Sequence, residues 1–349
     1  MASKWAAELG CLRPLVTSIE VGGVTVAVVP ARERPEVGGS TIGLTQSGGR
    51  RRMASRPPFW MMVPAVLLLL MIVVTPFLLS IYTSFIKLDQ YTIANWTRAP
   101  WVGLENYVTA FSQGNALGAS ALQSVWVSVT FSLATTLIIT PVGIVAALLV
   151  NKPFRGRGAV RAMFLIPYVL PVFVNAIMWR LLFMNGWGLV DQMLANLHLA
   201  SLNTFWLIGP KSFWAMVIAD VWASWPFIYL MVLAGLQGIS EELYESAWLD
   251  GATHWRSFFS ITLPMLRPIL GLALLLSTLN HFNNFTLPFV MFGTPPAPQA
   301  DVLPLNVYIT SFQTFNFGLG AAMSLLTLII MMVPAFFYIR MLRLGEATS

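Results

Sequence analysis

Six apolar runs follow one another from residue 60 onward, each near the roughly 20 residues that a membrane-spanning helix needs. They occupy 60–85 ("WMMVPAVLLLLMIVVTPFLLSIYTSF"), 124–150, 160–184, 212–236, 267–292 and 317–340. Prolines interrupt most of them: Pro64, Pro76, Pro141, Pro167, Pro171, Pro226, Pro288 and Pro334. Within a membrane, neighbouring helices can re-satisfy the backbone groups a proline frees. These residues therefore predict kinks and blurred boundaries rather than fewer spans. The expected fold class is an all-α integral membrane protein with six transmembrane helices. Residues 1–52 break the pattern, being rich in Gly, Pro and Arg with one short strand-like run, "GGVTVAVVP". No apolar stretch there is long enough for the core of a signal peptide. The expectation is a poorly ordered cytoplasmic tail over 1–57 ahead of a transmembrane domain over 58–349. The alternative is a natural start at Met53, with the upstream residues not made in the cell.

Composition strengthens the membrane reading. The 349 residues are 57% hydrophobic and only 10% charged, against about 25% charged in a soluble chain. Aromatics reach 13%, as suits a chain whose Trp and Tyr favour membrane interfaces. A net charge of +6 raises nucleic acid as a partner, but the basic residues sit at the ends of the apolar runs, where they act as topology signals. With the N-terminus inside, one set of segments holds Arg50, Arg51, Arg52, Arg56, Lys152, Arg155, Arg157, Arg161, Arg256, Arg267, Arg340 and Arg343, while the opposite set holds Lys87, Arg98, Arg180 and Lys211. Twelve against four places both termini in the cytoplasm. The single Cys11 excludes an intrachain disulfide and a Cys-rich metal site. His198, His254 and His281 are far apart in sequence, and G-x-x-x-x-G-K-[ST], H-E-x-x-H and G-x-S-x-G are all absent. Energy for any transport must then come from a partner or an ion gradient.

Between the fourth and fifth runs lies a polar stretch with helical spacing. Ser240 precedes Glu241 and Glu242, a serine N-cap followed by acids in the first turn. Leu243 and Ala247, like Tyr244 and Trp248, are i, i+4 pairs that form one apolar stripe. Gly251 permits a turn, a second amphipathic piece "THWRSFFSITLP" follows, and Pro264 marks the expected entry to span five. Two short helices joined at a glycine could dock into a groove of a soluble partner or lie flat on lipid. Amphipathicity serves both uses.

Polar residues inside a span are costly and are candidate functional groups. Span five carries the most: Ser277, Thr278, Asn280, His281, Asn283, Asn284 and Thr286, beside Phe282 and Phe285. Amides offer the donor–acceptor pairs that hydroxyls need, and aromatics suit the apolar faces of sugar rings. Asn280, His281, Asn283, Asn284 and Phe285, with Trp222 and Trp225 of span four, are the candidate substrate pathway. Hydrogen bonding between helices is the competing use of such groups. Asp220 is a lone acid in a span, expected to pair with Arg180 or to form part of a gate, with proton coupling a third role. No basic cluster lies in the spans, which argues against a phosphate-bearing solute.

Glu245, Ser246, Ala247, Gly251 six residues after the Glu, Ile261 ten further on and Leu263-Pro264 resemble the "EAA" loop. That loop is the signature of integral-membrane permease subunits of binding-protein-dependent ABC importers, and Ser246 stands where the usual pattern has Ala. "VGLENYVTAF" (102–111), "LIPYVLPVFVNAIMWRLLFMNGWGLVDQML" (165–194, with Asp191 where Asn is common), "HFNNF" (281–285) and "TFNFGLGAAMSLL" (314–326) are similar to segments of carbohydrate permeases of the maltose type. The resemblance covers about 60–343. It implies the type I importer permease fold, with a coupling helix in a cytoplasmic loop at about 238–264. Glu245, Ser246, Ala247, Asp250, Gly251, Ile261, Leu263 and Pro264 would couple to the ATPase. It further implies a sugar-translocating subunit working by ATP-driven alternating access. The chain itself would be no enzyme and hold no cofactor, ATP and Mg being bound by the partner ATPase. Implied partners are a second permease, a dimer of ATP-binding subunits and an extracytoplasmic solute-binding protein, with lipid around and no nucleic acid. The implied location is the cytoplasmic membrane of a prokaryote. Maltose-type permeases contact sugar from the segment that matches Asn280–Phe285. An importer of glycerophosphodiesters or another small solute is the alternative within the class. An ion-coupled secondary transporter would need intramembrane acids and often internal repeats, and only Asp220 and no repeat are found.

Overall fold

A computed structural model describes residues 17–21, 24–28, 60, 62–112, 120–198 and 204–346. The chain divides into two units, Met1–Met61 and Met62–Ser349. In the first, β1 (Thr17–Val21) pairs antiparallel with β2 (Val24–Val28), with Thr17 opposite Val28. The strand-like run therefore forms β2, and its partner strand was not expected. The rest of the tail expectation falls outside the described residues.

The second unit is helical. Among the described residues five helices are long and apolar enough to cross a membrane: Val63–Ser84, Ala121–Asn151, Lys211–Gln237, His254–Phe282 and Phe317–Tyr338. A sixth crossing is the pair Arg157–Val169 and Val172–Leu182, bent by 88°. They are called spans one, two, four, five, six and three respectively, in agreement with the six apolar runs. The bend follows from the sequence. Pro171 has no N–H to continue the helix, and a residue before proline is driven to extended backbone; Leu170 indeed has φ −67° and ψ 134°.

Span five departs from expectation at both ends. The second amphipathic piece is no separate helix, because the chain runs helically from His254 to Phe282. A π-helical turn at Phe258–Thr262 precedes Pro264, and the Leu263 N–H bonds to Phe258 O. The wider turn absorbs the proline, which therefore marks no boundary. Span one does the same at Leu70–Val74 ahead of Pro76, where both the N–H and the hydroxyl of Thr75 take Leu70 O. At the far end, the expected single run to 292 breaks at 283–285 and resumes as a short helix at Thr286–Phe292.

Small residues set the packing of the centre. Spans two and four touch at Gly143, where a Cβ would lie 2.7 Å from Ile228 Cβ and 2.8 Å from Tyr229 N. Ala147, one turn on, is fully buried. Close backbone approach at small residues is how membrane helices gain contact where lipid supplies no hydrophobic drive. One cluster (Ile139, Ala147, Val150, Tyr229, Val232, Leu266) joins spans two, four and five. A second (Phe131, Ala176, Phe183, Met216, Leu287, Leu305) lies towards the other ends of the spans. The "GLENY" segment staples the end of span one: Asn106 donates to Ser84 O at 2.8 Å and Ile86 O at 3.0 Å, and the Tyr107 and Ser84 hydroxyls meet at 2.7 Å.

Candidate functional site

The breaks in spans three and five face one cavity of about 360 Å3. Pro167, Tyr168, Leu170 and Val172 reach it from the bend in span three, and Asn283, Asn284, Phe285 and Thr286 from the break in span five. Asn175, Asp220, Ala223, Ser224, Phe227, Ser277, Asn280 and His281 complete the wall. Irregular backbone at membrane depth is tolerated where it lines a cavity, and such breaks are where transporters place their binding sites.

Five of the expected pathway residues, Asn280, His281, Asn283, Asn284 and Phe285, are thus brought together. The two tryptophans are not among them. Trp222 packs edge-on against Trp179 with ring centroids 6.2 Å apart. Trp225 packs on Phe164 and Tyr229 and borders a separate apolar groove with Pro141, Val145 and Leu149. Helical geometry is the cause. Residues 223, 224 and 227 of span four occupy the cavity side, and 222 and 225 fall to either flank. Sequence reading missed Tyr168 and Phe227 as lining aromatics, whose rings stack across spans three and four at 6.4 Å. The one signal for Tyr168 was its place in the proline-bracketed "PYVLP".

The polar groups of the wall are organised around Asp220. Its Oδ2 lies 2.6 Å from His281 Nδ1, and its Oδ1 accepts from Asn284 Nδ2 at 3.0 Å. Arg180 is not its partner: that side chain is exposed and donates to Val290 O at 3.2 Å. Asn284 Oδ1 accepts from the Leu287 N–H at 3.2 Å, capping the helix that resumes the span. Asn175 Nδ2 donates to Ala219 O at 3.3 Å. Asn283 turns its amide to Met331 Sδ at 3.1 Å, in span six. Asn280 is exposed to the cavity.

The second candidate element is the helix Glu241–Leu249, none of whose residues is buried. Ser240 stands at its N-cap, although its hydroxyl makes no capping bond. Glu245, Ser246, Asp250 and Gly251 are exposed and Ala247 is half-buried. The helix ends as the Ala252 N–H bonds to Ala247 O at 2.9 Å and Gly251 takes φ +77°, a left-handed value that favours glycine. Tyr244 and Thr262 share a hydroxyl hydrogen bond of 2.9 Å, and Trp248 packs on His254. The helix is thereby fastened to the start of span five. Ile261, Leu263 and Pro264 lie in that span-five helix, half-buried, with Leu263 packed against the core.

Comparison with known proteins agrees with this architecture. The family described as "Binding-protein-dependent transport system inner membrane component" matches residues 139–345. The trehalose/maltose transport system permease protein MalF of Thermococcus litoralis is 36% identical over 242 residues, 69% of this chain and 79% of that protein. The sulfoquinovosyl glycerol transport system permease protein SmoG of Agrobacterium fabrum is 30% identical over 77% of this chain and 85% of that protein. A chain of a bacterial alginate ABC transporter, in complex with a pentasaccharide-bound periplasmic protein, has the same fold. Its TM-score is 0.67 at 21% identity, covering 80% of this chain and 91% of that one. The family match, the relatedness to whole permeases and the shared fold make one assignment: this chain is a multi-pass membrane transport subunit, not an enzyme, and it belongs to the family of binding-protein-dependent transport system inner membrane components.

Proposed function

We propose that the chain is one permease half of an ATP-driven importer of a neutral sugar. It would work beside a second permease, a dimer of ATP-binding subunits and an extracytoplasmic solute-binding protein, with both termini cytoplasmic. The observation that carries the substrate class is the cavity wall. Asn175, Asn280, Asn283 and Asn284 offer paired donors and acceptors, Tyr168, Phe227 and Phe285 offer aromatic faces, and no Lys or Arg is among the described residues that line it. A phosphodiester would ask for a guanidinium or ammonium group. The sugars in the relatives' names point the same way.

The fold suggests how energy reaches the cavity. The helix Glu241–Leu249 is held to His254 and Thr262, at the start of a helix that continues to Phe282 beside Asn283 and Asn284. A 29-residue helix is a rod of about 40 Å. Closure of the ATPase dimer would move the loop, and the rod would carry that displacement to the break. ATP and Mg would be bound by the partner, and Glu245, Ala247 and Gly251 would form the contact.

The test is uptake by the assembled transporter in proteoliposomes with its binding protein, using maltose, trehalose and glycerophosphocholine. ATP-dependent uptake of a disaccharide is expected. Uptake of glycerophosphocholine alone would overturn the sugar assignment. Uptake that persists without ATP and collapses with an uncoupler would overturn the ATP-driven mechanism.

A further inference from the structure

We infer that Asp220 is the positioning residue of the substrate cavity, holding His281 and Asn284 in the arrangement in which they meet a sugar. The inference rests on the sugar-permease reading for the identity of the ligand. Its geometry is independent of that reading.

Two side chains from span five converge on this one carboxylate of span four, Asn284 by a hydrogen bond and His281 by a close contact without hydrogen-bond geometry. His281 Nδ1 approaches Oδ2 at 2.6 Å, and Asn284 Nδ2 approaches Oδ1 at 3.0 Å. Asp220 and His281 are both more than nine-tenths buried. A carboxylate accepts at both oxygens, whereas an amide accepts at one and must donate at the other. Asn at position 220 could therefore keep the Asn284 hydrogen bond but offer no charge or second oxygen to His281, which would turn away. Asn284 is fixed from its other end as well, because Oδ1 takes the Leu287 N–H. Its amide orientation is set, which leaves one N–H of Nδ2 and one lone pair of Oδ1 for a ligand.

The orphaned atoms beside the carboxylate indicate what this order is for. Asp220 Oδ2, His281 Nε2 and Asn175 Oδ1 are buried without hydrogen-bond partners, and all three residues line the cavity. Asn175 is held next to Asp220 by its bond to Ala219 O. Buried polar atoms without partners are uncommon and call for a cause. Three of them on one cavity wall fit a site completed by a hydroxyl-bearing ligand. Because Asp220 occupies Nδ1, the ring can turn only its Nε2 edge to that ligand.

The test uses the full transporter in proteoliposomes with its binding protein, measuring ATP-driven uptake of maltose and trehalose by the wild type, D220N, H281Q and the double variant. The rate ratio between the two sugars is the readout. A misfolded fraction lowers both rates together and leaves the ratio alone, whereas a misplaced pocket changes it. Each single variant is expected to shift the ratio by about fivefold or more. The double variant should show the shift of one, because groups acting as a unit are not additive. H281Q carries the test if D220N fails to assemble. A wild type that imports both sugars, with variants that keep its ratio, overturns the positioning role alone. A wild type that imports glycerophosphocholine and neither sugar overturns the sugar reading and this inference together.

Discussion

At the scale of single residues, what decides function here is which partner a polar side chain finds, and that is the level least legible in the sequence. Asp220 was visible as a lone acid in a span, but its partners lie beyond the reach of any periodicity, Asn284 being 64 positions away. The rational guess was Arg180, the opposite charge. The bend in span three carries Arg180 to Val290 instead, and the break in span five brings His281 and Asn284 to the carboxylate. Asp89, just beyond span one, shows a local pairing with a consequence for pH. Burial raises its carboxyl pKa. Hydrogen bonds from Tyr91 N, from the Thr92 hydroxyl and from Thr92 N, aided by the Lys87 charge, outweigh that and hold it below the usual range. A carboxylate depressed on folding contributes stability above its unfolded pKa of about 3.9 and loses it as pH falls through the folded value. Hydrogen exchange at Tyr91 and Thr92 should therefore rise relative to neighbouring amides once pH drops below about 4. The D89N variant should lack that acid step. An acid step of equal size in D89N would assign it to another group.

At the scale of elements, the apolar runs located all six crossings, because burying apolar side chains in lipid requires length and little else. What they could not locate is where a crossing breaks. Proline has no fixed effect: Pro171 ends a helix, Pro264 is absorbed by a π-helical turn, and Pro141 and Pro226 sit inside continuous helices. The choice is made by tertiary contacts that re-satisfy the freed groups. The cavity was legible in part for the same reason. The Asn280–Phe285 cluster stood out by polarity, but Tyr168 and Phe227 are ordinary span aromatics until the bend brings them to the wall. Packing between elements supplies a further prediction. Gly143 has no room for a side chain against Ile228 and the Tyr229 backbone, so G143V must push spans two and four apart. Overpacking of this kind costs about 1–3 kcal/mol. The purified chain should melt several degrees lower, and V142A, on an exposed neighbour, should melt with the wild type. A G143V protein of unchanged melting temperature would show that the two helices separate freely.

At the scale of the whole molecule, the question is whether the exposed helix Glu241–Leu249 belongs to lipid or to another protein. Its charges favour protein. A helix lying on an anionic leaflet is expected to be basic on its polar face. This one carries Glu241, Glu242, Glu245 and, at its end, Asp250, with no Lys or Arg. Beside the acids it exposes apolar groups, Leu249 at 91% and Trp248 at 51%. Under the importer reading proposed above, acids around an apolar centre would suit a cleft with a basic rim. Reversing one charge tests this directly. Glu245 is exposed on a helix with no buried residue, so with E245K insertion and pairing with the proposed second permease should survive. Setting a like charge against such a rim costs several kcal/mol, enough to reduce recovery of the ATP-binding subunit about tenfold when the chain is purified from native membrane. E245Q, which removes the charge without reversing it, should fall between. The same purification locates the fault if transport fails. An ATPase recovered in full with E245K would return the helix to the lipid surface and leave the connection between loop and cavity without an engine. Its loss, with the second permease still bound, would establish that helix as the point at which ATP hydrolysis acts on the rod leading to Asn283 and Asn284.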